Sequence, residues 1–153
     1  MIKHIVLGGG GYKGLGTVGV LKYLNQNKFY DMKNIETIYG SSVGAYIGVL
    51  LCLNIDWDDL IDYIVNRPWE KIIPIKANMF LEIIEKKGFF DDAFFRRSLE
   101  NVFHSKDITL DITLKEFYEF SNIELHMFTI RISDFKTIDY SYKTHPDMKL
   151  LHA

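Results

Sequence analysis

The chain has 153 residues, of which 48% are hydrophobic and 25% charged; this is the balance of one globular domain with enough apolar surface to bury a core, and it excludes a disordered chain. A formal net charge of −2 supplies no broad cationic field, so composition gives nucleic-acid binding no support. The single cysteine, Cys52, sits in the apolar run from Tyr46 to Leu53; an internal disulfide and zinc or redox spacing are ruled out, and the residue reads as a small buried hydrophobe.

The first residues, Met1-Ile2-Lys3-His4, lead directly into an apolar run and then glycines, which is not the form of a secretory leader. The longest apolar stretch, Val43 to Leu53, is well short of the roughly twenty residues a membrane-spanning helix needs. It reads as a buried core helix. These features lead to the expectation of a cytoplasmic protein that could still touch membranes peripherally.

In chain order, Ile5-Val6-Leu7 is a short β-rich run closed by Gly8 to Gly11, the form of a strand buried on both faces. From Gly14, the apolar residues Leu15, Val18, Leu21 and Leu24 recur at helical spacing until Asn25, Asn27 and Lys28 end the segment. Ile35 to Tyr39 reads as a second strand, broken by Gly40 just before the apolar helix that begins near Val43. Asp56 can cap a helix to about Asn66, Pro68 and Pro74 punctuate a loop, and Gly88 closes a short helix over 80–87. Asp91 then caps a helix through Phe103, and Thr113-Leu114-Lys115-Glu116 has the capping-box arrangement before Phe117 and Phe120. Leu125 to Ile132 and Thr137 to Tyr142 read as two strands around a turn at Asp134-Phe135-Lys136. The alternation of strand and helix predicts an α/β fold: a mainly parallel central sheet between helical layers, a three-layer α/β/α arrangement with ligands at the carboxyl ends of the strands.

Two glycine motifs fall at such strand ends. Gly40-Ser41-Ser42-Val43-Gly44 is a G-x-S-x-G sequence. A serine hydroxyl is a poor nucleophile until it is held at the tip of a tight strand-to-helix turn, clear of neighbouring side chains and near a base; Gly40 and Gly44 supply that clearance around Ser42. The positive end of the following helix favours negative charge at the same place. An ordinary glycine turn is the competing reading, and the strand before and helix after weigh against it.

Gly8-Gly9-Gly10-Gly11-Tyr12-Lys13-Gly14 follows the first strand and also fits G-x-G-x-x-G through Gly9, Gly11 and Gly14. In a dinucleotide fold an acidic residue should end the second strand, but here it ends in Tyr39-Gly40-Ser41-Ser42, and Glu36 lies at its opposite end. No Gly-Lys-Ser/Thr follows, so the P-loop form also fails. If the two motifs end neighbouring parallel strands, the N–H groups of Gly10 and Gly11 can face an ester carbonyl beside Ser42, which is oxyanion-hole geometry. Four consecutive glycines carry an entropic cost that a mere helix–strand connection rarely requires.

With Gly9 to Gly14, Gly19-Val20-Leu21 and Gly40 to Gly44 in this order, the chain resembles the patatin-like phospholipase family. The likeness extends through Gly88-Phe89-Phe90-Asp91, Ile112 to Phe120 and Thr144-His145-Pro146-Asp147-Met148. It implies a lipid acyl-ester hydrolase with Ser42 as acyl acceptor, Gly10 and Gly11 as oxyanion donors, Lys13 at the basic position of the loop, and no cofactor. The implied substrate is a lipid or phospholipid. The family pairs its serine with an aspartate in an Asp-Gly-Gly/Ala motif, and this sequence has no Asp-Gly dipeptide. Residues 1–153 are therefore expected to be the N-terminal portion of such a domain, ending before that motif, with activity of this chain alone in question. A catalytically inactive lipid- or partner-binding module is the alternative.

Asp134 and Asp139, near the last turn, read as turn or surface carboxylates rather than a substitute base. His4, His104, His126, His145 and His152 show no metal-ligand spacing, although any one could complete a triad of the α/β-hydrolase kind. Lys86-Lys87-Gly88-Phe89-Phe90 and Phe94-Phe95-Arg96-Arg97 mix aromatics with cations as interfacial segments do, yet core packing of the phenylalanines is the simpler reading. Nothing in the sequence sets the oligomeric state.

Overall fold

The computed structural model describes residues 1–72 and 92–153. Among these residues the sheet has four strands, in the order β1 (His4–Leu7), β2 (Thr37–Ser41), β3 (Glu124–Arg131) and β4 (Lys136–Tyr140). The first three run parallel, and β4 returns antiparallel to β3 through the turn expected at Asp134-Phe135. Six helices accompany them among the described residues: α1 (Gly16–Gln26), α2 (Val43–Cys52), α3 (Trp57–Val65), α4 (Trp69–Ile72), α5 (Asp92–His104) and α6 (Leu114–Ser121). The mainly parallel α/β class is thus the expected one. The expected helix over 80–87, its closure by Gly88, the turn at Pro74 and the cap at Asp91 lie outside the described residues.

The helices begin where the chain offers caps. Asp56 accepts from the Asp58 N–H at 2.8 Å to start α3, and Thr113 and Glu116 form the reciprocal capping box of α6. α1 is preceded by a turn of 3-10 helix, Gly11–Leu15, rather than starting at Gly14; the tighter coil lets the glycine loop enter the helix without a gap.

Pairing in the sheet puts alternate residues on opposite faces. Ile5, Ile38 and Leu125 lie abreast, as do Leu7, Gly40 and Met127; the apolar side chains of this face are buried together under α2. α2 has no polar side: Gly44 and every residue from Ile47 to Cys52 are buried. Phe103 of α5 and Phe117 of α6 stack with centroids 6.1 Å apart at one end of the same core.

Three sequence expectations are corrected. β1 is not buried on both faces, because β1 is an edge strand and Val6, on the face away from α2, is 77% exposed. Gly40 does not break β2; it pairs with Leu7 and Met127 inside the strand, which starts two residues later than Ile35 and runs to Ser41. The last strand ends at Tyr140, where Ser141 turns to take a hydrogen bond from the amide of His145 at 2.8 Å.

Candidate active site

The carboxyl ends of β1 and β2 are neighbours, so the two glycine motifs meet. A Cβ on Gly44 would lie 2.2 Å from the Leu7 carbonyl oxygen, and one on Gly14 would lie 2.4 Å from Val43 Cγ1. Only glycine permits the first turn of α2 to press on the end of β1 and on the loop that follows it. A Cβ on Gly40 would come within 2.6 Å of Ala45 Cα, so the turn from β2 into α2 closes over a residue without a side chain.

At the tip of that turn stands Ser42. It has φ 53° and ψ −127°, a region that costs a non-glycine residue about 1–3 kcal/mol and persists only where the surroundings fix it. The surroundings here are the Gly40 and Gly44 contacts and the Ser42 carbonyl, which accepts from the Ala45 N–H at 2.9 Å. The Ser42 side chain does not cap α2, and the residue is exposed. The residue therefore stands at the N-terminal end of α2 with no capping bond on its hydroxyl, and a helix N-terminus favours negative charge.

The loop facing it is Gly8–Gly11. The position of a Cβ on Gly9 would be 3.4 Å from Ser42 Cβ and 4.0 Å from Oγ. Gly11 has φ +54°, and the Gly10 carbonyl accepts from the Gly14 N–H at 3.3 Å. Among the described residues no protein acceptor takes the N–H of Gly10 or Gly11. Tyr12 and Lys13 follow directly in the 3-10 turn and are exposed.

Ser42 opens into a cleft of about 350 Å³, within the range of roughly 300–1,000 Å³ that small-ligand sites occupy. Ala45, Tyr46 and Val49 continue from Ser42 along one side of α2; Phe95 and Leu99 of α5, Met127 to Thr129 of β3 and Leu150 to Ala153 complete the walls. The lining is mainly apolar, with Ser42, Thr129 and His152 as its polar side chains. Burial pushes the Tyr46 phenol above its ordinary pKa, so it stays neutral, and its hydroxyl donates to the Ser98 carbonyl at 3.4 Å.

No carboxylate among the described residues lines this cleft. Asp134 is held by Arg131 at 2.7 and 2.8 Å, and that guanidinium lowers its pKa. Asp139 receives His126 Nδ1 at 2.9 Å. His126 in turn reaches Glu124 at 2.8 Å through Nε2 and stacks on Tyr39, on the sheet face away from α2. His152 alone of the five histidines is among the cleft-lining residues. No group of His, Cys, Asp or Glu among the described residues could hold a metal ion. Glu36 precedes β2 at its amino end and pairs with Lys3 at 2.5 Å, far in the strand's direction from where a ribose would sit.

Sequence reasoning found both motifs but not the walls of the cleft. The part on α2 was within reach, since Ser42, Ala45, Tyr46 and Val49 are spaced i, i+3, i+4, i+7 and so share one side of the helix. The part from α5 and β3 depends on tertiary packing that no local pattern carries.

The chain was also compared with known proteins. It is 26% identical over 153 residues to the probable lipid hydrolase 463L of Invertebrate iridescent virus 6, covering 99% of this chain and 51% of that protein. It is 27% identical over 129 residues to the uncharacterized protein R571 of Acanthamoeba polyphaga mimivirus, covering 84% of this chain and 41% of the relative. The chain thus spans about half the length of these relatives, or less. Among solved structures, VipD from Legionella pneumophila superposes with a TM-score of 0.64 at 16% identity over 98% of this chain and 41% of its own. The type III effector ExoU does so with a TM-score of 0.61 at 14% identity, over 97% of this chain and 37% of its own; at such identities the likeness is one of fold. The model of the patatin-like phospholipase family matches residues 5–153. With both glycine motifs in contact at the strand ends and a family match over nearly its whole length, the chain belongs to the patatin-like phospholipase family.

Proposed function

We propose that this chain forms the serine-bearing portion of a lipid acyl-ester hydrolase, with Ser42 as the nucleophile and the Gly10 and Gly11 N–H groups as the oxyanion hole. The observation that carries the reading is the backbone of Ser42, held at positive φ with an exposed side chain opposite the glycine loop. Strain of that kind at an exposed serine has no packing purpose, whereas it aims a nucleophile.

In this reading the acyl chain of the substrate lies in the apolar cleft beside Tyr46, Leu99 and Met127. Ser42 Oγ bonds to the ester carbonyl carbon while its proton passes to a base. The carbonyl oxygen becomes an oxyanion in front of the loop amides and the α2 N-terminus. Collapse of the tetrahedral adduct expels the alcohol, which takes up the proton, and water then releases the fatty acid from the serine ester. Lys13, exposed in the turn after the glycine loop, suits the phosphodiester of a phospholipid. The base is expected to be the aspartate of the family's Asp-Gly motif, because no carboxylate of the described residues shares the cleft with Ser42.

Reaction with a fluorophosphonate, followed by turnover of a medium-chain ester and a phospholipid, tests this. In a chain extended to include that aspartate, Ser42 should be labelled, and Ser42→Ala should lose both labelling and about three orders of magnitude or more of turnover. Gly10→Pro, which deletes one N–H, should cost on the order of a hundredfold. His152→Ala should retain turnover; its loss would move the base to His152. Equal turnover by wild type and Ser42→Ala would end the proposal, and an unlabelled Ser42 with intact lipid binding would favour a non-catalytic module.

A further inference from the structure

We infer that the solvent face of α1, together with the turns at its two ends, is a docking surface for an anionic lipid bilayer. The inference goes beyond the catalytic reading and holds even if Ser42 is never acylated.

The periodicity of α1 divides it cleanly. Val18 and Leu21 are buried against the core. Gly16, Gly19, Val20, Tyr23 and Asn27, spaced to share the opposite side, are all exposed. On this side Val20 is 56% and Tyr23 66% exposed, while Tyr12 in the turn before the helix is 82% and Phe29 in the turn after it 65% exposed. Four large apolar or amphipathic side chains thus stand in water along one helix and its ends, where monomeric proteins rarely gather them without a partner.

The charge of the same segment selects the partner. Residues 1–30 contain Lys3, Lys13, Lys22 and Lys28 and no aspartate or glutamate, in a chain whose net charge is −2. Lys3 and Lys22 are neutralised by Glu36 and Asp58. Lys13 and Lys28, at the two ends of α1, have no ion-pair partner among the described residues and are exposed beside Tyr12 and Phe29. A row of Tyr, Val, Tyr and Phe with a cation at each end is the pattern of a helix lying in the headgroup layer: apolar groups enter the acyl boundary and lysines meet lipid phosphates or carboxylates. A protein partner would not require the cationic ends. Because Tyr12 and Lys13 belong to the turn that joins the glycine loop to α1, docking on this face would hold that loop beside the bilayer.

Co-sedimentation with vesicles of phosphatidylcholine alone and of phosphatidylcholine with phosphatidylserine tests the inference, using Ser42→Ala protein so that the lipid is not consumed. Binding should appear on the phosphatidylserine vesicles, weaken with salt, and fall at least tenfold in Val20→Glu and in Tyr23→Glu. Lys28→Glu, which leaves the helix untouched, should weaken it about fivefold or more. The thermal midpoint of each variant and, in the Ser42 background of a chain extended to include the expected aspartate, turnover of a soluble ester should be unchanged, which separates loss of docking from loss of fold or chemistry. Absence of wild-type binding, equal binding to the uncharged vesicles, or unaltered binding by Tyr23→Glu would overturn the inference. So would a shift from dimer to monomer in Tyr23→Glu without any effect on vesicle binding, because the face would then join two copies of the chain.

Discussion

α1 and α2 flank the same glycine loop and are nearly equal in length, yet they solve opposite problems. α2 is apolar on every side and is buried from Ile47 to Cys52. α1 buries only Val18 and Leu21 and leaves its other side to solvent. Both contain two glycines, and the difference between the helices is written in what those glycines touch. A Cβ on Gly44 or Gly48 of α2 would meet neighbouring atoms at 2.2 and 2.8 Å, whereas one on Gly16 or Gly19 of α1 would have nothing within 4 Å. Glycine in α2 is a condition of close approach; in α1 it leaves a bare surface. The pair teaches that the serine turn is built by backbone contact, while the adjoining helix is shaped for something outside the fold.

The largest break in this comparison comes from Gly44→Ala. The new methyl would overlap the Leu7 carbonyl oxygen, an atom of the strand backbone that cannot swing away. α2 and β1 must then separate, and the cost should reach about 3 kcal/mol or more, the upper end for overpacking, with a matching drop in the urea midpoint. Reaction of Ser42 with a fluorophosphonate should vanish at the same time, because the glycine loop and the serine turn are aligned by that contact. A variant of wild-type stability would show that the two motifs are not pressed together.

Gly48→Ala should cost less, about 1–2 kcal/mol. Its nearest atoms are Leu125 Cδ1 at 2.8 Å and Ile38 Cγ2 at 3.2 Å, both side-chain ends able to adjust their rotamers. The ratio between the two substitutions is the informative quantity: equal losses would mean that contact with the β1 backbone is no costlier than contact with the adjustable side chains of Leu125 and Ile38.

Much of this was legible in the chain, and the reasons are particular. The capping box at Thr113, the cap at Asp56 and the buried helix after Ser42 are local patterns, and each forms where it was read. The two glycine motifs could be placed together because consecutive parallel strands put their carboxyl ends side by side. The strand ends were harder: Gly40 looked like a breaker because glycine usually is one, yet here its missing side chain is what lets the strand continue under Ala45. Val6 read as buried because an Ile-Val-Leu run is fully apolar; which face is covered depends on the rest of the fold. The Glu124–His126–Asp139 cluster joins two strands across the β3–β4 turn, and only the register, with Tyr39 opposite His126 and Phe128 opposite Asp139, places its members on one face.

Ser42 itself yields a finer test of how the start of α2 differs from that of α1. Leu15, at the corresponding place before α1, has ordinary helical φ of −59°, while Ser42 has φ 53°. Ser42→Ala keeps the strained backbone and Ser42→Gly relieves it, so the glycine variant should be the more stable of the two by about 1 kcal/mol. Both lose the hydroxyl, and both should be inert to the fluorophosphonate. Thermal or urea unfolding of the pair thus measures the strain apart from the chemistry. If alanine is the more stable, the turn is relaxed and its geometry no longer argues for a nucleophile.

The smallest effect belongs to Gly19→Ala, and it is a gain. Gly19 lies within α1 on its solvent side, and no atom of the described residues stands within 4 Å of the methyl that alanine would add. Interior helical glycine is weaker than alanine by roughly 0.5–1 kcal/mol because it loses more freedom on folding. With no clash to offset that term, the substitution should raise stability by about that amount in urea unfolding and leave ester turnover unchanged. In Gly48→Ala the same entropic gain is present but is outweighed by contact with Leu125 and Ile38, so the two substitutions should differ in sign although both sit inside helices. A loss of stability in Gly19→Ala would mean that the outer side of α1 is already covered within the protein. The contrast between the helices would then disappear, and with it the surface on which bilayer docking depends.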